Sequence, residues 1–271
     1  MLQLKYTKLI LTLNSAGLKL IHLKIMRLIS LNTWCGIKYE LLKKFLEHQS
    51  KDVDIFCFQE VRNGKYLDQK KETEEKTNLF KEMGEILPAF TGYFTEMITG
   101  VGIATFVRNN IQIAKIESKQ ILTAQEIEHI KMSDGNSYYP RVIQSIFLKN
   151  KNLVIHNFHG IPGISKKDTP ERDLQTNNLL KIIDSNNSKS QIITGDFNLD
   201  INTEAISKLS NKLRNLIKES KFKTTRNYNY GKYKELPFAD YAFISKDLKL
   251  NNFAVLPDEV SDHLALLVEF L

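Results

Sequence analysis

Ile192-Ile193-Thr194-Gly195-Asp196-Phe197-Asn198 runs from an apolar strand through a glycine into an acid and an amide two residues apart. A strand end is a favourable place for chemistry, because the scaffold fixes the side chain while the following loop leaves it accessible. An Asp-Asn turn would produce the same local pattern. What separates the two readings is recurrence. Leu28-Ile29-Ser30-Leu31-Asn32 is an apolar run ending in an amide, Phe56-Cys57-Phe58-Gln59-Glu60 one ending in an acid, and Leu153 to His159 one ending in an imidazole. Asp240 immediately precedes the apolar Tyr241–Ser245, and Ser261-Asp262-His263 precedes Leu264–Leu271. Four strands that end in metal-ligand or acid–base groups, and two that begin beside them, are not required by folding alone.

Outward from these runs, the periodicity predicts strands at Arg27–Asn32, Asp54–Phe58, Tyr93–Met97, Ile103–Arg108, Ile111–Ile116, Arg141–Leu148, Leu153–Phe158, Gln191–Thr194, Tyr241–Ser245, Phe253–Leu256 and Leu264–Leu271. A helix is expected to carry Ile37, Leu41, Leu42, Phe45 and Leu46 on one face. Tyr66–Ile86 predicts an exposed charged helix with Leu79, Phe80 and Met83 as its apolar stripe. Thr169-Pro170-Glu171 opens a helix to about Asp184, with Asp168 and Thr169 as its capping residues. Glu204–Lys218 is helical in pattern. The stretch from Phe90 to Phe158 suggests hairpins rather than parallel crossovers, and two sheets flanked by helices account for the order.

The chain has 271 residues, 42% of them hydrophobic and 25% charged, the composition of a packed soluble protein rather than a disordered or membrane one. Its net charge of +7 overstates the case for a polyanion partner. Residues 1–25 hold Lys5, Lys8, Lys19 and Lys24 with no acid, and the remainder carries only about +3. Those residues predict an appended helix or an upstream start, with Met26 opening a single domain to Leu271, since no repeat or linker divides it. No segment is long enough to span a bilayer, so a cytoplasmic protein without stable membrane insertion is expected. Cys35 and Cys57 are expected to be reduced and buried.

In order, spacing and neighbours, Asn32, Gln59-Glu60, Gly195–Asn198 and Ser261–His263 resemble the endonuclease/exonuclease/phosphatase superfamily, which includes apurinic endonucleases, pancreatic-type deoxyribonucleases, neutral sphingomyelinases and inositol-phosphate phosphatases. The resemblance runs from Met26 to Leu271. It implies an α/β fold, a four-layer sandwich of two mixed β-sheets packed face to face and flanked by helices. It also implies hydrolysis of a phosphoester with Mg2+ or Mn2+ as cofactor, the hard ions that oxygen ligands suit.

Carried over residue by residue, the resemblance makes Glu60 the main metal carboxylate, with Asn32 beside it and Asp262 within reach of a metal. Asp196 orients or deprotonates the attacking water, and Asn198 holds the water or a phosphoryl oxygen. His263 contacts the scissile phosphate with Asp240 on its other ring nitrogen, and His159 serves the leaving oxygen, while His156 is structural. One metal or two, and Asp196 or His263 as the base, stay open.

Arg141, Lys166, Lys167, Arg172 and Arg226 are the candidate substrate-binding cations. Lys221–Lys234 interleaves Lys221, Lys223, Arg226, Lys232 and Lys234 with Phe222, Tyr228, Tyr230 and Tyr233, a composition suited to phosphates and stacked bases and equally to a solvated hairpin. The leading expectation is a monomeric phosphodiesterase or nuclease. A phosphomonoesterase or sphingomyelinase-like lipid phosphodiesterase is the alternative, and a non-catalytic binding module the remote one.

Overall fold

The computed structural model describes residues 7–14, 17–64, 74–129, 139–149, 151–163, 165–186 and 189–271. In chain order the strands and helices are β1 (Thr7–Asn14), β2 (Gly17–Lys24), β3 (Met26–Asn32), α1 (Tyr39–Gln49), β4 (Ile55–Arg62), α2 (Leu79–Ile86), β5 (Phe90–Ile98), β6 (Val101–Arg108), β7 (Ile113–Leu122), α3 (Ala124–His129) and β8 (Arg141–Leu148). They continue with β9 (Leu153–His159), α4 (Pro170–Ser185), β10 (Ser190–Asp196), α5 (Glu204–Lys212), β11 (Arg214–Asn215), α6 (Leu216–Glu219), β12 (Asp240–Ile244), β13 (Leu250–Val255) and β14 (Leu266–Phe270).

Two six-stranded mixed sheets form, in the orders β13-β14-β3-β4-β6-β5 and β11-β12-β10-β9-β8-β7. Each contains one parallel pair, β3 with β4 and β9 with β10, and is otherwise antiparallel. The period of two along the strands sorts apolar side chains to two faces. In the first sheet Leu28, Ile55, Cys57, Val107, Leu266 and Val268 join the large core shared with the second sheet. Their neighbours Ile29, Phe56, Phe58, Phe106 and Leu267 pack outward with Leu42, Phe45 and Leu46 of α1 and Leu79 and Met83 of α2. With α4, α5 and α6 packing apolar residues on the second sheet, the layers number four, as expected. A parallel pair buried on both faces favours apolar residues on consecutive positions, as in Leu28-Ile29 of β3, Ile55–Phe58 of β4, Leu153–Ile155 of β9 and Ile192-Ile193 of β10.

The parallel pairs also explain where the polar residues go. A crossover helix returns each second strand to the same starting end, so β3, β4, β9 and β10 all present Asn32, Glu60, His159 and Asp196 at or beside their carboxyl ends. Ligand sites in α/β sheets form at such ends.

Several expected elements differ. Residues 7–14 and 17–24 pair as antiparallel strands, not a helix, and Lys24 Nζ ties the second strand to the body by donating to Asp54 at 2.7 Å. The charged helix begins only at Leu79. Residues 74–78 are bends and turns, and 65–73 lie outside the described residues. Leu41 is 48% exposed and Ile37 precedes α1, so the buried face is Leu42, Phe45 and Leu46. Thr169 caps α4 through its hydroxyl and the Arg172 N–H. Asp168 caps a different helix: its carboxylate accepts from Glu204 N at 2.7 Å and Ala205 N at 3.0 Å, the first turn of α5. Cys35 and Cys57 are free and buried, and burial is the main cause of thiols pushed up to about 12, which makes them poor nucleophiles.

Polar groups do enter the space between the sheets, and they are paired. Asn157 donates to Phe58 O and Ala104 O across the gap and accepts from Gln59 Nε2 at 2.7 Å. His156, fully buried, lies between Ser145 Oγ (2.8 Å) and Gln191 Oε1 (3.1 Å). Both partners suit a neutral ring, and burial drives its pKa down to about 4. The unfolded chain therefore takes up a proton near pH 6.5 that the folded chain refuses until about pH 4. Stability from this residue is intact above pH 6.5 and falls as pH drops through that window, by about 1.4 kcal/mol per unit and roughly 3 kcal/mol in all. Urea denaturation of the wild type and of His156→Gln between pH 7.5 and 4.5 should show a steeper acid loss in the wild type. Parallel profiles would mean that His156 is not held neutral.

Candidate active site

Each side chain at this end of the sandwich is aimed by a local backbone device. In β4 the pairing with β6 slips between Phe58 and Val61, and Glu60 in this bulge takes φ +54°. The Thr33 hydroxyl holds the bulge by donating to the Gln59 and Glu60 carbonyls at 3.0 and 2.9 Å. Gly195 has φ +144°, and a Cβ there would lie 1.9 Å from Phe158 O. Only glycine lets β10 approach β9 this closely while turning into Asp196. Asn198 follows at φ +56°, its N–H on Asp196 Oδ1 at 2.8 Å. Left-handed conformations in non-glycine residues cost about 1–3 kcal/mol each and concentrate at functional sites.

Asn32 is completely buried and its Nδ2 donates to Glu60 Oε1 at 3.0 Å and Asp196 Oδ2 at 3.1 Å. Its oxygen is engaged by Trp34 N at 3.0 Å. Asn32 therefore holds two carboxylates from facing sheets together. Asn198 Nδ2 also reaches Asp196 Oδ2, at 3.1 Å, and Lys166 Nζ donates to Asn198 Oδ1.

The two histidines are opposites. His263 Nδ1 lies 2.8 Å from Asp240 Oδ2, while its Nε2 lies 3.6 Å from Asp196 Oδ2 and 3.8 Å from Asp262 Oδ1. Burial opposes its charge, but Asp240, followed by Asp196 and Asp262, carries its pKa up to about 9 despite Arg226. His159 Nε2 lies 3.8 Å from Glu60 Oε1 and 3.7 Å from Asp196 Oδ2, and neither ring nitrogen has a hydrogen-bond partner among the described residues. Burial, then the Arg141 charge, drives its pKa down to about 3, so its ring is neutral. Burial also acts to raise the Asp196 pKa, but His263, His159, Arg226 and Lys166 together hold that carboxyl well below its usual range. For Glu60 burial prevails and the pKa rises.

The expected cations divide. Arg226 is buried, forms a β-bridge with His263, sits 3.5 Å from Asp262 Oδ2 and stacks 3.8 Å over the Tyr230 ring. Arg141 is buried at the start of β8 with Met97 Sδ 3.8 Å away. Lys166 is buried and Lys167 exposed. Arg172 is withdrawn beneath the loop, its guanidinium on the Lys167 and Ile161 carbonyls. It shapes that loop. Lys221, Lys223, Lys232 and Lys234 are exposed, as is Tyr228. Supporting residues that the sequence reading did not single out are Thr33, Asn157, Thr225, whose hydroxyl accepts from Asp240 N at 3.2 Å, and Asn227, whose amide donates to Ser261 O at 2.8 Å. Their partners are distant in sequence, and nothing local marks them.

A model of the endonuclease/exonuclease/phosphatase family matches residues 29–263. The chain belongs to this family. Its members are metal-dependent phosphoester hydrolases. Among curated proteins none matches in sequence. Solved structures do match in fold: a family protein from Bacteroides vulgatus (14% identity, TM-score 0.69, covering 92% of this chain and 99% of that one), a mannosyl-6-phosphatase from Bacteroides thetaiotaomicron (19%, 0.67, 91% and 99%), and the human Nocturnin catalytic domain with bound sulfate (20%, 0.59, 91% and 93%).

Whether the residues present fit the metal of the family is answered by the donors. Glu60, His159 and Asp196 each offer one ligand atom, all within 4.8 Å of one another. The orphaned, neutral His159 ring completes a set of two carboxylates and one imidazole, which fits a divalent cation. Asp196, Asp240 and His263 are equally close, but a protonated His263 already paired with Asp240 is no ligand. Asp262, expected within reach of a metal, is in neither group and faces Arg226. Titrating chelator-treated protein with Mg2+ or Mn2+ should raise its melting temperature, with about 2.7 kcal/mol of stabilisation at 100-fold excess over Kd. Glu60→Gln should remove most of that shift, and an unchanged wild-type melt with both ions would reject the site.

Proposed function

We propose that the chain hydrolyses a phosphoester by in-line attack of a water, using a divalent cation held by Glu60, His159 and Asp196. The observation that carries this reading is the convergence on Asp196 Oδ2 of Asn32, Asn198, His159 and His263 from four different elements. The cation supplies neutralisation of the phosphoryl oxygens and polarisation of the phosphorus centre. Magnesium is the expected ion for the carboxylates, and the imidazole of His159 widens the choice to manganese.

The chain's own residues divide the remaining work. An ionised Asp196 accepts a proton from the water and orients it, with Asn198 holding the water or a phosphoryl oxygen. His263, charged through Asp240, donates from Nε2 to a non-bridging oxygen, which makes Asp196 rather than His263 the base. Its depressed pKa makes it a weak one, so positioning outweighs proton abstraction. His159, neutral and held between Glu60 and Asp196, serves the cation, and the Arg141 charge near it adds positive potential to the site.

For the substrate, a phosphodiester of a nucleic acid is supported by the exposed Lys221, Lys223, Lys232 and Lys234 with Tyr228 on the segment that also carries Arg226. A phosphomonoester is the second reading, supported by the fold likeness to the mannosyl-6-phosphatase. No helix among the described residues is long and apolar enough to cross a membrane. A cytoplasmic monomer acting on a water-soluble phosphoester is the reading we keep.

Release from DNA, abasic DNA, RNA, sphingomyelin, inositol phosphates and sugar phosphates, with Mg2+ or Mn2+ and a chelator control, tests this directly. Metal-dependent cleavage of one class is expected, with Asp196→Ala lowering kcat about 10²–10⁴-fold while the fold is retained. Turnover by Asp196→Ala near the wild-type rate would overturn the assignment. The kcat/KM of the wild type should fall as pH rises through about 9, where His263 loses its proton. In Asp240→Asn that alkaline limb should move to lower pH. An unmoved limb would exclude His263 as the charged donor.

A further inference from the structure

Lys166 is a buried cation of this site with no carboxylate partner among the described residues. It sits in the loop after β9, 4% exposed, with φ +51°. The loop is clamped on both sides of it: Asp200 N donates to Lys166 O at 2.7 Å, and the Arg172 guanidinium holds Ile161 O and Lys167 O from beneath. A left-handed lysine fixed in this way and turned inward is a built feature, not a solvated charge that has folded down. Among the described residues its ammonium has one hydrogen bond, to Asn198 Oδ1, and no carboxylate oxygen within ion-pair distance. Two other buried cations around Asp196 do have carboxylates, Arg226 with Asp262 and His263 with Asp240. A buried ammonium without a counter-charge is costly, and two of its three N–H groups need acceptors. A neutral amide oxygen meets neither need. An anionic oxygen placed beside Asn198 meets both.

We propose that Lys166 is a phosphoryl-oxygen ligand, the counter-charge for an unesterified oxygen of the substrate's phosphate and of the phosphate product. The idea rests on the phosphoester reading above and deepens it. An ammonium that is otherwise unpaired gains most from a phosphate with two free charges, so Lys166 tilts the site toward terminal phosphates over internal diesters. If Lys166 served only to orient the Asn198 amide, mono- and diesters would depend on it equally.

The test uses the full chain with Mg2+ or Mn2+, and the variants Lys166→Met and Lys166→Arg. Inorganic phosphate is titrated by calorimetry, and p-nitrophenyl phosphate is compared with bis(p-nitrophenyl) phosphate in turnover. We expect Lys166→Met to weaken phosphate binding about ten- to a hundredfold, the value of a charge-assisted hydrogen bond. KM for the monoester should rise several-fold more than for the diester, and Lys166→Arg should restore phosphate binding to within a few-fold. Unchanged phosphate affinity in Lys166→Met, no saturable phosphate binding by the wild type, or equal losses on both esters would each overturn the proposal. Should Lys166→Met fail to fold, Lys166→Gln replaces it under the same criteria. Lys166-dependent phosphate binding in a protein that cleaves no phosphoester would leave this proposal standing and remove the hydrolase reading instead.

Discussion

The Asn32 amide, donating at once to Glu60 and to Asp196, is the contact on which the rest of this end of the molecule depends. Glu60 belongs to one sheet and Asp196 to the other, so their side chains meet only if the sandwich closes in one register. Two carboxylates side by side repel, and the burial penalty falls in full on Asp196 and in part on Glu60, whose side chain is 31% exposed. A neutral donor with two N–H groups is the least costly bridge, because it pairs with both without cancelling the negative charge that a cation requires. Asparagine has the reach for this from the last residue of β3, and Trp34 N fixes which way the amide faces.

Around that bridge the backbone is held away from its preferences. Glu60, Asn198 and Lys166 all lie in the left-handed region, and Gly195 makes an approach to Phe158 O that no side chain permits. Strain of about 1–3 kcal/mol per residue survives only where surroundings over-determine it. Here they do so with main-chain groups: Thr33 on the β4 bulge, Asp200 N on Lys166, Asp196 Oδ1 on Asn198 N. The two apolar layers outside the sheets, with Phe56, Phe58, Phe106 and Tyr241 almost wholly buried, provide the rigid body against which such strain is carried.

This division explains what could be read from the sequence. Strand ends were legible, because an apolar run that stops at Asn32, Glu60, His159 or Asp196 identifies both the element and the end where the candidate site gathers. The doubly covered sheets were legible as well, since β4 and β10 are apolar on consecutive positions. Partners brought from afar were not. Asp168 precedes one helix and caps another that begins 36 residues later, and Arg172 carries a charge that serves two carbonyls beneath a loop. Tyr66–Ile86 carries a helical charge pattern, and among its described residues, 74–86, Leu79 and Met83 supply the buried surface and the helix runs over Leu79–Ile86. Residues 7–14 and 17–24 place Leu9, Leu11 and Leu13, and Leu18 and Leu20, two apart, a partial strand pattern that the runs Leu9-Ile10-Leu11 and Leu20-Ile21 obscured.

The electrostatics of the site follow from the same geometry. His159 and His263 place their Nε2 atoms 3.7 and 3.6 Å from one oxygen, Asp196 Oδ2, and both are buried, yet one is neutral and the other charged. The shared carboxylate cannot distinguish them. The difference comes from what stands beside each ring: Asp240 against Nδ1 of His263, and the Arg141 charge near His159, whose ring nitrogens have no hydrogen-bond partner among the described residues. Asp240 itself is set opposite Asp196 by the antiparallel register of β10 and β12, so the residue that charges His263 is fixed by strand pairing. Groups of one chemical type with divergent protonation are what acid–base and ligand roles require. In this fold that divergence is written into which strand each histidine ends or precedes, before any substrate or ion arrives.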